Sequence, residues 1–264
     1  MNMLTFERIL SRYSPQERLH PRNVLVEYIQ HEILDSLFKQ KESIALSFIG
    51  GTALRIVYGG NRFSEDLDFD NFGLDFDRFR VLLEKVVRDM ELKGFSVEFR
   101  FVEKLAFHCY IKFPDVLREG NLARHSEEKI LVRIDATQKE KVFTPDTYTL
   151  DAFDIYRDIL VKPLPIILSQ KLIAIAGRKR DKGRDFYDVS LLWNRVRPDF
   201  EYLEAMTGQR RDAFMRQVLD RCEGADFDVL ARDVEPFLVD PEQSARVKHF
   251  LTFARKSFGP QTME

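Results

Sequence analysis

The spacing of apolar positions changes several times along the chain, and each change marks an element. Between residues 5 and 40 the spacing is helical. Behind Pro21 and Asn23, which suit a helix start, Val24, Leu25, Tyr28, Ile29, Ile33 and Leu37 form one stripe. The run Ile44–Ile49 is apolar but for Ser47, reads as a strand, and ends in Gly50-Gly51-Thr52. A short helical stretch and a loop containing Gly59, Gly60 and Asn61 lead to Asp66-Leu67-Asp68-Phe69-Asp70, which alternates as a strand does. Asp75 caps a predicted helix from Phe76 to about Lys93, with Phe79, Leu82, Leu83, Val86 and Met90 inside and Gly94 at its end. Phe95–Glu103 and Ala106–Phe113 read as an antiparallel pair. Lys129–Thr137 puts Ile130, Val132 and Ile134 on one face and Arg133 and Asp135 on the other. From Gln138 to Pro163 the pattern is weak: Pro145, Asp146 and Thr147 mark a turn, and Ile159–Val161 predicts a short strand at the sheet edge. Beyond Pro165 the spacing is helical to about residue 256, with Phe214, Val218, Leu219, Leu230, Phe237, Leu238, Phe250 and Leu251 as core candidates.

This order predicts an α/β (α+β) protein: a core with a mixed sheet and N-terminal helices over residues 1–160, and a helical part over 161–264. With 264 residues, 44% of them hydrophobic, a sizeable core is available. Charged residues make up 32%, yet the net charge is only −2, so any polyanion site must be a local patch. Cys109 and Cys222 do not form a disulfide framework or a zinc motif, and the five histidines show no ligand spacing. The most apolar stretch, Leu164–Ala176, is short and is interrupted by Ser169, Gln170 and Lys171, so no membrane span is expected. Few cysteines and no leader-like segment predict a cytoplasmic protein.

Polar chemistry gathers at the two strand ends between residues 49 and 70. Asp66 and Asp68 share a strand face, with Cβ atoms roughly 6–7 Å apart. Two carboxylates at that separation repel by roughly 3 kcal/mol at an effective dielectric of 20, so a partly buried pair needs a cation. A divalent metal set against a triphosphate is the natural candidate, and acids simply lying in water are the bland alternative. Gly50 and Gly51 permit a sharp turn and a close backbone approach to a ligand. Thr52 at the helix start is either an ordinary N-cap or a further donor to a phosphate. Lys171 interrupts an apolar helix, where it either snorkels to solvent or points at an anion. Arg178-Lys179-Arg180-Asp181-Lys182-Gly183-Arg184 is a dense basic run, read as a solvated connection or as a phosphate contact. Asp185 and Asp188, three apart on a helix, share a face and could orient Lys171 or Arg184.

Gly50-Gly51-Thr52-Ala53-Leu54-Arg55, Tyr58-Gly59, and Arg62-x-Ser64-x-Asp66-Leu67-Asp68-Phe69 resemble the signature of the AbiEii (MenT-type) nucleotidyltransferases. These are toxins of bacterial toxin–antitoxin and abortive-infection systems, in the polymerase-β-like superfamily. The resemblance continues through Lys171-Leu172-x-Ala174 and Arg184-Asp185-Phe186-Tyr187-Asp188, and so covers about residues 22 to 195. It implies a polymerase-β-like core and transfer of a nucleoside monophosphate from an NTP, with Mg²⁺ or Mn²⁺ held by Asp66 and Asp68. Asp135 is the candidate third carboxylate and acceptor base, ahead of Glu98 and Glu103. Gly50, Gly51, Thr52, Arg62, Ser64, Lys171, Asp185 and Asp188 are the implied nucleotide contacts, in a cleft expected between the core and the helical part. Arg55 and Arg62 are either phosphate ligands or partners of the aspartates.

By the same analogy the acceptor is RNA, such as a tRNA end, and a separately encoded antitoxin is an expected partner. Two rivals stand beside this reading. One is the same chemistry on a protein hydroxyl, and the other is a nucleotide-binding module without catalysis. Retention of both DxD acids argues against the last, because a binder has no use for a repulsive pair.

Overall fold

A computed structural model describes residues 3–258 other than Arg124 and Ser126. The chain divides into two compact units, Met1–Lys162 and Pro163–Glu264. The N-terminal stretch, expected to be helical throughout, holds a short α1 (Phe6–Leu10), a single 3₁₀ turn and α2 (Pro21–Phe38). Every residue of the α2 stripe named above is buried. Then come β1 (Leu46–Ile49), α3 (Gly50–Ile56), β2 (Leu67–Asn71), α4 (Phe76–Leu92), β3 (Glu98–Glu103), β4 (Phe107–Phe113), α5 (Val116–Glu119), β5 (Ile130–Gln138), β6 (Asp146–Ala152) and β7 (Ile155–Val161). Ile44, expected in the first strand, lies in a 3₁₀ turn and is exposed.

The seven strands form one mixed sheet in the order β3-β4-β5-β2-β1-β7-β6. β1 runs antiparallel to β2 and parallel to β7, while β2 runs parallel to β5. The helices α2 and α4 pack on each other and on the sheet, and Asp75 caps α4 by accepting from the Arg78 N–H. The apolar sides of the central strands, Leu67, Phe69, Cys109, Ile111, Val132 and Ile134, are buried. A fully buried side chain of this size is worth about 1.5–3 kcal/mol. Strand alternation then forces Asp68 and Asp70 of β2, and Arg133 and Asp135 of β5, onto the opposite face.

The segment 138–163 differs from the sequence reading. Asp146 and Thr147 open β6 rather than mark a turn, and β7 lies inside the sheet between β1 and β6. The hairpin turns at Phe153 and Asp154, with φ of 56° and 64°. Asp suits such a turn but Phe does not. Tertiary contacts hold it: the Phe153 ring meets Tyr28 at 5.2 Å and His31 at 4.9 Å, and Asp154 pairs with Arg8 and Arg12.

At the end of β7, Lys162 is fully buried and ion-paired with Asp70, with its ammonium 4.7 Å from the centre of the Phe143 ring. Burial lowers its pKa, nearby Lys139 adds to that, and Asp70 opposes it.

The second unit is helical: α6 (Leu164–Gly177), α7 (Gly183–Leu192), α8 (Phe200–Thr207), α9 (Arg211–Glu223), α10 (Phe227–Val234), α11 (Ala245–Lys248) and α12 (Phe250–Phe258). A Cβ on Gly183 would collide with the Leu230 carbonyl, so the start of α7 rides directly on α10. The Gly183 N–H donates to Asp233 at 2.9 Å. Phe186, Phe227 and Phe250 form the aromatic centre of this unit.

Candidate active site

The glycine turn and β2 meet because β1 and β2 are paired, with Ile49 opposite Asp68. Gly50 takes φ +81°, and a Cβ there would lie 2.5 Å from the Asp68 carboxylate. At Gly51 a Cβ would lie 2.6 Å from the Arg62 guanidinium and 2.8 Å from the Ser64 hydroxyl. The space freed by the glycines is therefore filled by this chain's own Asp68, Arg62 and Ser64, not left open as the sequence reading expected. The helix begins one turn earlier than that reading placed it. Ile49 is the N-cap, and Thr52, inside α3 and fully buried, donates its hydroxyl hydrogen to the Asp66 carbonyl. That bond ties α3 to the start of β2, and the hydroxyl hydrogen is spent there rather than on a phosphate.

Arg55 is a scaffold residue. Burial disfavours its charge, but Glu27 and Glu17 outweigh burial and raise its pKa. It pairs with both, donates to the Gly60 carbonyl at 3.0 Å and lies over the Phe63 ring. Its carboxylate partners are thus Glu17 and Glu27. Arg62 is only 3% exposed and donates to the Phe63 carbonyl at 3.1 Å.

The carboxylates collect along one row. In the parallel β2–β5 ladder Asp68 is opposite Asp135, and in the antiparallel β4–β5 ladder Asp135 is opposite His108. Adjacent strands lie about 4.8 Å apart, so three polar side chains stand side by side on one face. His108 Nδ1 lies 2.7 Å from Asp135 Oδ1. Arg133 joins Asp66 Oδ2 at 2.6 Å through Nη2 and Asp135 Oδ2 at 3.1 Å through Nε. Burial alone would weaken the Arg133 charge, but Asp66, Asp135 and Asp68 together raise its pKa. The exposures of Arg133, Asp66 and Asp135 are 37%, 33% and 16%, so the cluster is open to solvent. The other acids weighed from sequence are elsewhere: Glu98 and Glu103 stand on β3, and Glu98 pairs with Lys129.

Sequence reasoning gave no role to Arg133 or His108. Alternation on β4, with Phe107, Cys109, Ile111 and Phe113 inside, leaves His108 on the face of Asp135. Only the strand register shows that the two are neighbours.

Among the described residues, no three His, Cys, Asp or Glu side chains are placed as a ready metal cage. The donor set still suits a hard divalent cation. Mg²⁺ needs one or two carboxylates and takes its remaining ligands from water and substrate phosphates. Asp66, Asp68 and Asp135 supply oxygens of that kind around a positive charge that is already in place.

In the helical unit, Lys171 on α6 pairs with Asp185 at 2.9 Å and Asp188 at 2.8 Å, both on α7. The two acids are 4% and 3% exposed, and Arg178 also pairs with Asp185. Of the pairings open to the two acids, the one with Lys171 forms, while the Arg184 guanidinium lies over the Phe237 ring. In the basic run, Asp181 pairs with Arg221, and Lys179 and Arg180 are exposed. Among the described residues no helix is long and apolar enough to cross a membrane.

Two crystal structures from Helicobacter pylori share the fold. JHP933 matches with a TM-score of 0.55 and 17% identity over 91% of this chain and 95% of its own. A proposed nucleotidyltransferase matches with a TM-score of 0.56 and 17% identity over 92% and 98%. No curated protein matches the chain. The sequence profile of the AbiEii nucleotidyl transferase toxins of type IV toxin–antitoxin systems matches residues 32–257. That span holds the glycine turn, the carboxylate row and the Lys171 cluster, and the chain belongs to this family.

Proposed function

We propose that this protein is a metal-dependent nucleotidyltransferase toxin that moves a nucleoside monophosphate from an NTP to an RNA hydroxyl, such as a tRNA end. The observation that carries this reading is the register of Asp68 with Asp135 beside the glycine turn. It brings carboxylates from two strands to one open face, where an isolated acid cluster would only repel itself. Mg²⁺ or Mn²⁺, held by Asp66, Asp68 and Asp135, would draw charge from the phosphates.

Asp135, oriented through Oδ1 by His108, is the base for the acceptor hydroxyl. The backbone of Gly50 and Gly51 and the Thr52 segment border the triphosphate, with Arg62 and Ser64 packed beneath the turn. In the helical unit Lys171, fixed by Asp185 and Asp188, presents an ammonium suited to a phosphate. The exposed Lys179 and Arg180 favour an RNA acceptor over a protein one, as a local basic patch in a chain with no net positive charge. Type IV toxin–antitoxin membership implies a separately encoded antitoxin.

The test is incubation with each α-labelled NTP, Mg²⁺ and total RNA or RNA-depleted lysate. Label should enter RNA, and Asp68→Asn should cut transfer by at least about a hundredfold, because metal charge stabilisation is worth several kcal/mol. Label in protein alone would move the acceptor to a polypeptide hydroxyl. Transfer by Asp68→Asn at the full rate would sink the reading.

A further inference from the structure

We propose that Arg133 is the resident counter-cation of the carboxylate row, holding Asp66 and Asp135 until a divalent ion takes its place. This rests on the reading of Asp66, Asp68 and Asp135 as the acids that hold metal. Arg133 reaches both acids with one guanidinium, 2.6 Å from Asp66 Oδ2 and 3.1 Å from Asp135 Oδ2. It stands on β5 two residues before Asp135, so alternation keeps it on the same face, beside the acids whatever they bind. Asp66 and Asp135 would repel each other, and Arg133 supplies positive charge between them.

A guanidinium and a metal ion cannot share the same carboxylate oxygens, so metal entry requires Arg133 to let go. The pairs it leaves are partly exposed and therefore weak. Once free, its planar fork suits a phosphate. Metal and nucleotide then favour each other. The metal releases Arg133, the triphosphate receives it, and each ligand binds better when the other is present. Metal alone must displace Arg133 with nothing to take the arginine up, and so binds poorly.

The experiment is Mn²⁺ titration of the full chain without nucleotide, followed by electron paramagnetic resonance of the free ion, together with thermal melting in chelator and in Mn²⁺. Arg133→Met should bind Mn²⁺ about tenfold more tightly than the parent, the scale of one to two partly exposed ion pairs. It should melt lower than the parent in chelator and gain more from Mn²⁺. Arg133→Lys, which keeps a charge but loses the fork, should fall between them and covers the case in which the methionine variant does not fold. Adding a non-hydrolysable NTP should tighten Mn²⁺ binding in the parent far more than in Arg133→Met. If Asp68→Asn loses Mn²⁺ binding while Arg133→Met leaves it unchanged, the role of Arg133 falls and the metal site stands. If Mn²⁺ binds neither the parent nor Arg133→Met, with or without nucleotide, both fall together.

Discussion

Two charge clusters in this molecule are built from the same residue types in opposite ways. On the sheet, Asp66, Asp68 and Asp135 stand partly in solvent, and Arg133 pairs with Asp66 and Asp135. In the helical unit, Asp185 and Asp188 are nearly sealed off and are matched by Lys171 and Arg178. A sealed, balanced cluster has already met the desolvation cost of its charges and holds them in a fixed place. An open cluster leaves its acids within reach of a ligand that brings positive charge. The difference suits the open cluster to the metal proposed above and the sealed one to fixing Lys171.

The comparison breaks most visibly if charge is removed from each cluster in turn. Asp185→Asn takes one carboxylate from Lys171 and Arg178 in a nearly dry setting and should destabilise the protein by about 3–5 kcal/mol, as breaking a buried pair does. Asp66→Asn relieves repulsion in the open cluster and should change stability far less. Urea melts of both variants check this, and equal losses would mean that the two clusters are not different in kind.

A smaller effect tests the exposed part of the basic run. Arg178 belongs to the sealed cluster through Asp185, so it should be left intact, and Lys179→Ala with Arg180→Ala is the cleaner change. If both residues touch an RNA backbone, the slope of log affinity against log salt should flatten by about 1.4, with different RNAs weakened alike. An unchanged slope would take RNA off this loop.

The smallest effect concerns a third ion-pair group, outside both clusters. Burial pushes the Asp35 pKa up, but the hydrogen bonds from Lys93 at 2.8 Å and Arg157 at 2.9 Å win and leave it lowered. Because its folded value lies below the unfolded one, Asp35 contributes stability that is complete above about pH 4. That contribution is lost as pH falls through the folded value. Asp35→Asn should lower the neutral plateau of a stability–pH curve and flatten its acid limb, the two curves converging at low pH. An unaltered acid limb would remove this pair from the account of acid unfolding.

Much of the fold was legible because the signals are local. The α2 stripe, the Asp75 cap and the alternation of β2 and β5 are each set by residues a few positions apart. The pairing of Lys171 with Asp185 and Asp188 was also within reach, since helical spacing puts both acids on one face. The Phe153–Asp154 turn was not, because its backbone is held by Tyr28, His31, Arg8 and Arg12 from distant parts of the chain. The use of the two glycines was equally hidden. Sequence shows that a Cβ is missing at Gly50 and Gly51, but not that Asp68, Arg62 and Ser64 fill the space.

By itself the sequence determined most of the elements, the DxD pair, the face on which Asp135 lies and the family signature. Only the tertiary structure decided the strand register that puts Asp68, Asp135 and His108 in one row, and the placement of Arg133 across two acids. The physical reason is that alternation assigns a residue to a face from its immediate neighbours alone. Register is instead the collective outcome of packing a whole sheet, and no short stretch of sequence contains it.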